Sequence, residues 1–261
     1  MDRILQIRRY LYYLLYANDE HQIHSPFVFD FYLNTIVRNE IQPSFQAIEH
    51  LRRKMKRSNL KIEVKDYGSG SIRNNKSKRA ISTIARNSLK AKKYGRLLYR
   101  ISKFYNPQVA LELGTSLGVT TLYQALPLSQ NSYLYTLEGC PETLRIAKEN
   151  LKSIDRNIKV VEGNIDTTLP DLLKQIKTLD YVFFDANHRL EPTLRYFELC
   201  LEKAHENSIF IFDDIHRSKD MDKSWSFIKA HKQVMLTIDL FELGIVLFRK
   251  NQPKQHFLLQ F

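Results

Sequence analysis

The chain is poor in the features that would make it a disulfide scaffold, a fibrous chain or a membrane protein. It has two cysteines in 261 residues, Cys140 and Cys200, with no CxxC pair. That excludes a stapled secreted domain and a thiolate metal site, and points to reduced thiols in a cytoplasmic protein. Eight glycines and eight prolines are too few for a collagen-like or low-complexity chain, and no fixed-period repeat is present. No apolar run approaches the roughly 20 residues of a membrane helix. The opening MDRILQIRRYLYYLLYA has an apolar run behind two arginines but no small-residue cleavage site. It reads as an amphipathic helix packing on the main domain, and no membrane partner is expected. What remains is a globular composition, 43% hydrophobic and 11% aromatic, in a chain long enough for a large core.

Charge is the one lopsided property. The formal net charge is +12, a balance that favours anionic partners without specifying a fold. Residues 1–107 hold 22 Lys and Arg against 8 Asp and Glu, a net of +14, whereas residues 108–261 hold 18 against 20, a net of −2. Arg52 to Lys103 alone carries 18 basic residues against Glu63 and Asp66. This shift marks an expected boundary near Pro107, between a basic, mainly helical cap or lid (1–107) and a second domain (108–261).

From Val109 onward, short apolar runs alternate with segments of helical period, which predicts an α/β domain with a mostly parallel sheet. The runs are 109–113, 133–139, 157–164, 179–186 and 208–214, with helices between them. The last two, 234–240 and 244–250, lie too close for a crossover and must pair antiparallel. The expectation is a Rossmann-like sheet of seven strands ending in an antiparallel hairpin. The tail HFLLQF is apolar enough to cover a sheet edge or a partner copy, leaving a homodimer open.

In such a sheet, ligands bind beyond the carboxyl ends of the strands. Acids stand there: Glu112, Glu138, Asp185, Asp213 and Asp214. Each has a plain alternative role, capping the helix that follows. The first turn reads LELGTSLGV, with Gly114 and Gly118 spaced GxxxG and Ser116 where a dinucleotide fingerprint has its second glycine. Glu112 beside a pyrophosphate would repel it; an acid there suits a cationic ligand such as the ammonium and sulfonium of S-adenosylmethionine. Glu138 follows Gly114 by 24 residues, near the spacing at which an acid accepts bonds from ribose hydroxyls.

Residues 109–250 therefore resemble the class I S-adenosylmethionine-dependent methyltransferases, whose sheet ends in an antiparallel seventh strand. The nearer likeness is to the metal-dependent catechol and caffeoyl-CoA O-methyltransferases, whose glycine turn is written ELGTxxG where this chain has ELGTSLG. The resemblance implies an enzyme that moves a methyl group from S-adenosylmethionine to a hydroxyl of a small molecule. It implies a cofactor loop from Glu112 through Gly114, Thr115, Ser116 and Gly118, with Glu138 and Gly139 at the ribose. Asn164, Ile165 and Asp166 would lie by the adenine. Asp185 would touch both cofactor and metal, with Asp213 and Asp214 as further metal ligands; the family often has Asn at that last position.

Residue chemistry supports a cation independently. Asp185 and Asp213 lie 28 residues apart across one β-helix-β unit, so on neighbouring strands their ends are roughly 5 Å apart. Carboxylates that close repel unless one protonates or a cation joins them, and an all-oxygen set suits Mg2+ or another divalent ion. The alternative is a metal-free site in which Asp185 orients the substrate. His188 stands where catechol-type enzymes place a lysine base, and is a candidate to take the hydroxyl proton or simply a loop residue. His216 is a second candidate for substrate contact. Segment 24–32, HSPFVFDFY, would form a lid. DYGSGS (66–71) imitates a cofactor loop but lacks a following apolar helix, and reads as a turn over the active-site mouth, with Asp66 facing substrate.

Two other functions compete. An RNA methyltransferase would use the basic 52–103 segment, although the place after the fourth strand reads DANH and not the (N/D)PP(Y/F) of base amino-group methylation. Nucleic acid is the partner to be excluded, against a small and acidic acceptor or a merely solvated helix face. The other reading is a binding module that keeps the fold without the reaction.

Overall fold

The computed structural model describes residues 2–65, 76–250 and 252–261. In chain order the elements are α1 (Asp2–Tyr16), α2 (Pro26–Phe31), α3 (Phe45–Arg57), β1 (Lys61–Lys65), β2 (Lys76–Ala80), α4 (Ile81–Ser88) and α5 (Lys92–Tyr105). The alternating part follows: β3 (Val109–Leu113), α6 (Val119–Ala125), β4 (Tyr133–Glu138), α7 (Pro141–Leu151), β5 (Ile158–Glu162), α8 (Ile165–Gln175) and β6 (Leu179–Phe184). It ends with α9 (Leu190–Leu201), β7 (Ala204–Asp213), α10 (Lys219–Ala230), β8 (Leu236–Asp239), β9 (Leu243–Leu247) and β10 (Gln255–Leu258). The fold is α/β and Rossmann-like, with a mostly parallel eight-stranded sheet and a separate β1–β2 hairpin. No helix among the described residues is long and apolar enough to cross a membrane.

Two compact units are present, Arg38–Asp171 and Met1–Val37 with Leu172–Phe261. The division expected from charge, at Pro107, is not where the units part. The basic helices share one core with the first glycine turn: Phe45, Ile48 and Met55 of α3, Ile81 and Ala85 of α4 and Tyr99 of α5 pack with Leu117, Leu122, Tyr123 and Leu151. Charge composition reports solvent-facing positions, whereas burial of apolar side chains, worth about 1.5–3 kcal/mol for each large one, decides which segments fold together.

In the Arg38–Asp171 unit, β3 pairs parallel with β4 and β4 with β5, placing Glu112 opposite Thr136 and Glu138 opposite Glu162. Asn106, at φ 43, ends α5 by donating its N–H to Ser102 O, and Pro107 prevents continuation. The basic segment divides by burial. Arg52 donates to the carbonyls of Leu89 and Lys90 at the end of α4. Burial brings the Arg100 guanidinium down to about 10. Arg53, Lys54 and Arg57 stay exposed.

In the other unit, β6 and β7 are parallel, β9 is antiparallel to both β7 and β8, and β8 pairs parallel with β10. The tail thus supplies an eighth strand where seven were expected. Leu259 behind it is fully buried, and its carbonyl accepts from the Tyr13 hydroxyl of α1 at 2.8 Å. In segment 24–32, Val28, Phe31 and Tyr32 lie in the core of their unit while Phe29 is exposed. α1 buries Tyr13, Ala17 is buried just past its end, and Ile7, Leu11, Tyr12 and Leu15 stay exposed.

Candidate functional site

The glycine turn after β3 is held almost entirely by main chain. Gly114 and Thr115 both donate their N–H to Leu137 O, at 3.0 and 3.1 Å, and the Gly118 N–H returns to Thr115 O. Gly114, Ser116 and Gly118 have φ of 102, 48 and 76, the left-handed region in which side chains are strained. Gly118 has a second reason for being glycine: an added Cβ would sit 3.3 Å from Leu151 and 3.4 Å from Ala147. Asn150 Nδ2 holds Leu117 O at 2.9 Å, and the Ser88 and Ser116 hydroxyls meet at 2.9 Å, tying the turn to α7 and to the basic helix α4.

Glu112, expected to face a cationic ligand, turns inward. Its carboxylate is fully buried. It accepts from Thr121 Oγ1 and Gln124 Nε2 at 2.5 Å and from Thr136 Oγ1 at 2.6 Å. Since Thr136 gives its proton to Glu112, the 2.6 Å contact between Thr115 and Thr136 is donated by Thr115. The acid therefore braces the turn. Thr121, Gln124 and Thr136 were missed in the sequence, though a threonine at the same depth in YLYTLE as the glutamate in VALEL was a legible signal.

Glu138 stands at the end of β4, half-buried. One oxygen accepts from the Ser116 N–H at 2.8 Å and the other from the Cys140 N–H at 2.9 Å. A carboxylate offers about four acceptor positions, so such a group can also receive ribose hydroxyls. Gly139 is half-buried beside it. After β5, the Gly163 N–H donates to Glu138 O at 3.0 Å, and Asn164 Oδ1 caps α8 by accepting from the Asp166 N–H at 3.1 Å. Ile165 is half-buried and Asp166 exposed. The hairpin strand β1 touches this turn, the Lys65 N–H lying 3.4 Å from Cys140 Sγ. DYGSGS and Asp66, between β1 and β2, lie outside the described residues.

The second cluster is in the other unit. Asp185 follows β6, His188 lies in the turn before α9, and Asp213 ends β7, where it pairs with Leu243 of β9. One ligand atom from each of the three comes within 4.8 Å of the others. His188 Nε2 is 3.5 Å from Asp185 Oδ1, and Asp213 is 1% exposed. Asp214, expected as a ligand, is not in this group. Its φ of 54 turns the side chain to Arg217, whose Nη1 donates to Oδ2 at 2.7 Å, and it stands 3.9 Å from His188. Two carboxylates and an imidazole fit a divalent cation, and the nitrogen admits first-row transition ions as well as Mg2+. His216, read as a substrate contact, has both ring nitrogens engaged, by Asp222 at 2.9 Å and Asp239 at 2.8 Å.

A methyltransferase-domain family pattern matches residues 111–215, from the glycine turn to just past the paired acids. That segment, somewhat under half of the chain, is similar to a methyltransferase domain. Similar curated proteins include a catechol O-methyltransferase of Niastella koreensis, 26% identical over 126 residues (47% of this chain, 56% of that protein). Another is catechol O-methyltransferase B of Danio rerio, 32% identical over 112 residues (41% of this chain, 42% of that protein). The chain spans about half the length of the curated relatives it matches. Among solved structures, an O-methyltransferase from Bacillus cereus in complex with SAH has a TM-score of 0.57 at 15% identity, covering 84% of this chain and 96% of that one. That likeness shows the fold. The matched segment begins inside β3, and Ser88, whose hydroxyl meets that of Ser116 in the turn, lies outside it.

Proposed function

We propose that the chain transfers a methyl group from S-adenosylmethionine to a hydroxyl of a small molecule, with a divalent cation at the acid cluster. The observation that carries this reading is the turn after β3 bonded through the Ser116 N–H to Glu138, and the Asp185, His188 and Asp213 group falls within the same matched segment, 111–215. S-adenosylmethionine, when bound, supplies an electrophilic methyl, and a bound cation lowers the pKa of a coordinated hydroxyl. The chain's own residues do the rest. The turn from Gly114 to Gly118 and Gly139 admit the cofactor to the main chain, and Glu138 holds the ribose. Ile165 and Asp166 flank the adenine. Glu112 keeps the turn in shape from behind. Asp185 and Asp213 hold the cation, Arg217 keeps Asp214 aside, and His188 takes the hydroxyl proton, a contribution of about 10² to 10⁴ in rate.

Calorimetry tests the cofactor half: S-adenosylmethionine should bind in the micromolar range, and Glu138→Ala should weaken it about 100-fold through loss of two charge-assisted hydrogen bonds. Unchanged affinity sinks the assignment. Mn2+ titration of His188→Ala tests the proton role: retained metal affinity with lost turnover makes it the base, whereas lost affinity makes it a ligand. The finer readings are an acceptor with its own carboxylate or phosphate, pairing of two copies, and a cytoplasmic setting for the buried thiols Cys140 and Cys200. Acceptor screening and light scattering address the first two. Salt-sensitive RNA binding that competes with small acceptors would instead favour the RNA-modifying alternative.

A further inference from the structure

A pocket lies in the Met1–Val37 with Leu172–Phe261 unit, lined by none of the cofactor or cation residues assigned above. It encloses about 410 Å3 between α1, α10 and the β8–β10 edge. Tyr12, Phe241 and Phe257 form apolar wall, and Arg8, Arg9 and Lys229 bring three cations to it. Arg9 is half-satisfied. Its Nη2 pairs with Asp222, while its Nη1 is buried with no hydrogen-bond partner among the described residues. No ion pair among the described residues engages Arg8 or Lys229, and the Lys229 ammonium lies 5.9 Å from the centre of the Trp225 ring. The acid on the wall, Asp239, is already occupied by His216, the Trp225 indole and the Phe241 N–H. Burial, then the charges of Lys229 and Lys254, holds the His256 imidazole on this edge below its usual range.

We propose that this pocket binds a small amphipathic anion, its carboxylate or phosphate oxygens at Arg8, Arg9 and Lys229 and its apolar body against Tyr12, Phe241 and Phe257. Leu11 and Leu15 of the same helix are exposed, so the anionic group can come from a free metabolite or from a lipid headgroup.

Phenyl phosphate is the probe, titrated into the full chain by calorimetry without S-adenosylmethionine, so the outcome is independent of the methyl-transfer reading. The wild type should bind it, and Arg8→Ala with Lys229→Ala should weaken binding at least tenfold. The charge-preserving pair Arg8→Lys and Lys229→Arg should keep it within about threefold, which separates lost charge from lost folding. Vesicles of phosphatidylglycerol in phosphatidylcholine distinguish the source: cosedimentation that the double alanine variant loses assigns a headgroup, and phenyl phosphate binding without cosedimentation assigns a free anion. No binding of either probe, equal binding by wild type and the double alanine variant, or phenol binding as tightly as phenyl phosphate would overturn the proposal.

Discussion

The turns at the ends of β3 and β7 both place a buried acid at the carboxyl edge of a strand, yet they resolve its charge in opposite ways. Glu112 is met by two hydroxyls and a side-chain amide, so its charge is satisfied inside the protein and the acid becomes structural. Asp213 is brought within 4.8 Å of a second carboxylate and an imidazole. Such an arrangement is stable with a cation or a shared proton. Position at a strand end therefore does not identify a functional acid. The chemistry of its neighbours does.

Four substitutions would break or sharpen that contrast. The largest effect is expected from Glu112→Gln, whose amide would face donors with a donor; thermal unfolding should report a loss of about 3 kcal/mol, with S-adenosylmethionine affinity falling as the turn loosens. Gly118→Ala combines a left-handed φ with the Leu151 and Ala147 contacts, and should cost about 1–2 kcal/mol by denaturant unfolding. Asp185→Asn should behave oppositely to Glu112→Gln. In chelator its stability should stay within about 1 kcal/mol of wild type, but the rise in Tm that Mn2+ or Mg2+ gives the wild type should vanish. A normal metal-induced rise in this variant would remove Asp185 from the cation site.

The smallest effect concerns Glu40, a control that belongs to neither turn. Burial alone would raise its pKa, but hydrogen bonds from Lys103 and Gln42 and the Lys103 and Arg38 charges leave it lowered. A carboxylate with a lowered folded pKa stabilises the fold above its unfolded pKa and loses that contribution as pH falls through the folded value. Glu40→Gln should therefore remove part of the acid-side slope of stability, by less than about 1 kcal/mol, while leaving cofactor affinity unchanged.

Much of this was legible in the chain. The strands at 109–113, 133–138 and 179–184 follow from apolar runs bounded by glycine, proline and acids, and local pattern suffices because each run can be buried only by extending. The left-handed turn was signalled by Gly114 and Gly118. The eighth strand was not, because HFLLQF becomes a strand only when β8 offers its edge. Ser88 and Asn150 carry no motif, since their role is to meet a carbonyl or hydroxyl brought close by packing.

The sequence by itself determined the class of fold, the glycine turn with its acid 24 residues on, and the acids at strand ends. These are properties of spacing and residue type. Only the tertiary structure decided that Glu112 faces inward, that His188 and not Asp214 joins Asp185 and Asp213, and that basic helices complete the core around the turn. Each depends on which groups become neighbours once apolar surface is buried, and that choice is made by the whole set of contacts, not by any residue's place in the chain.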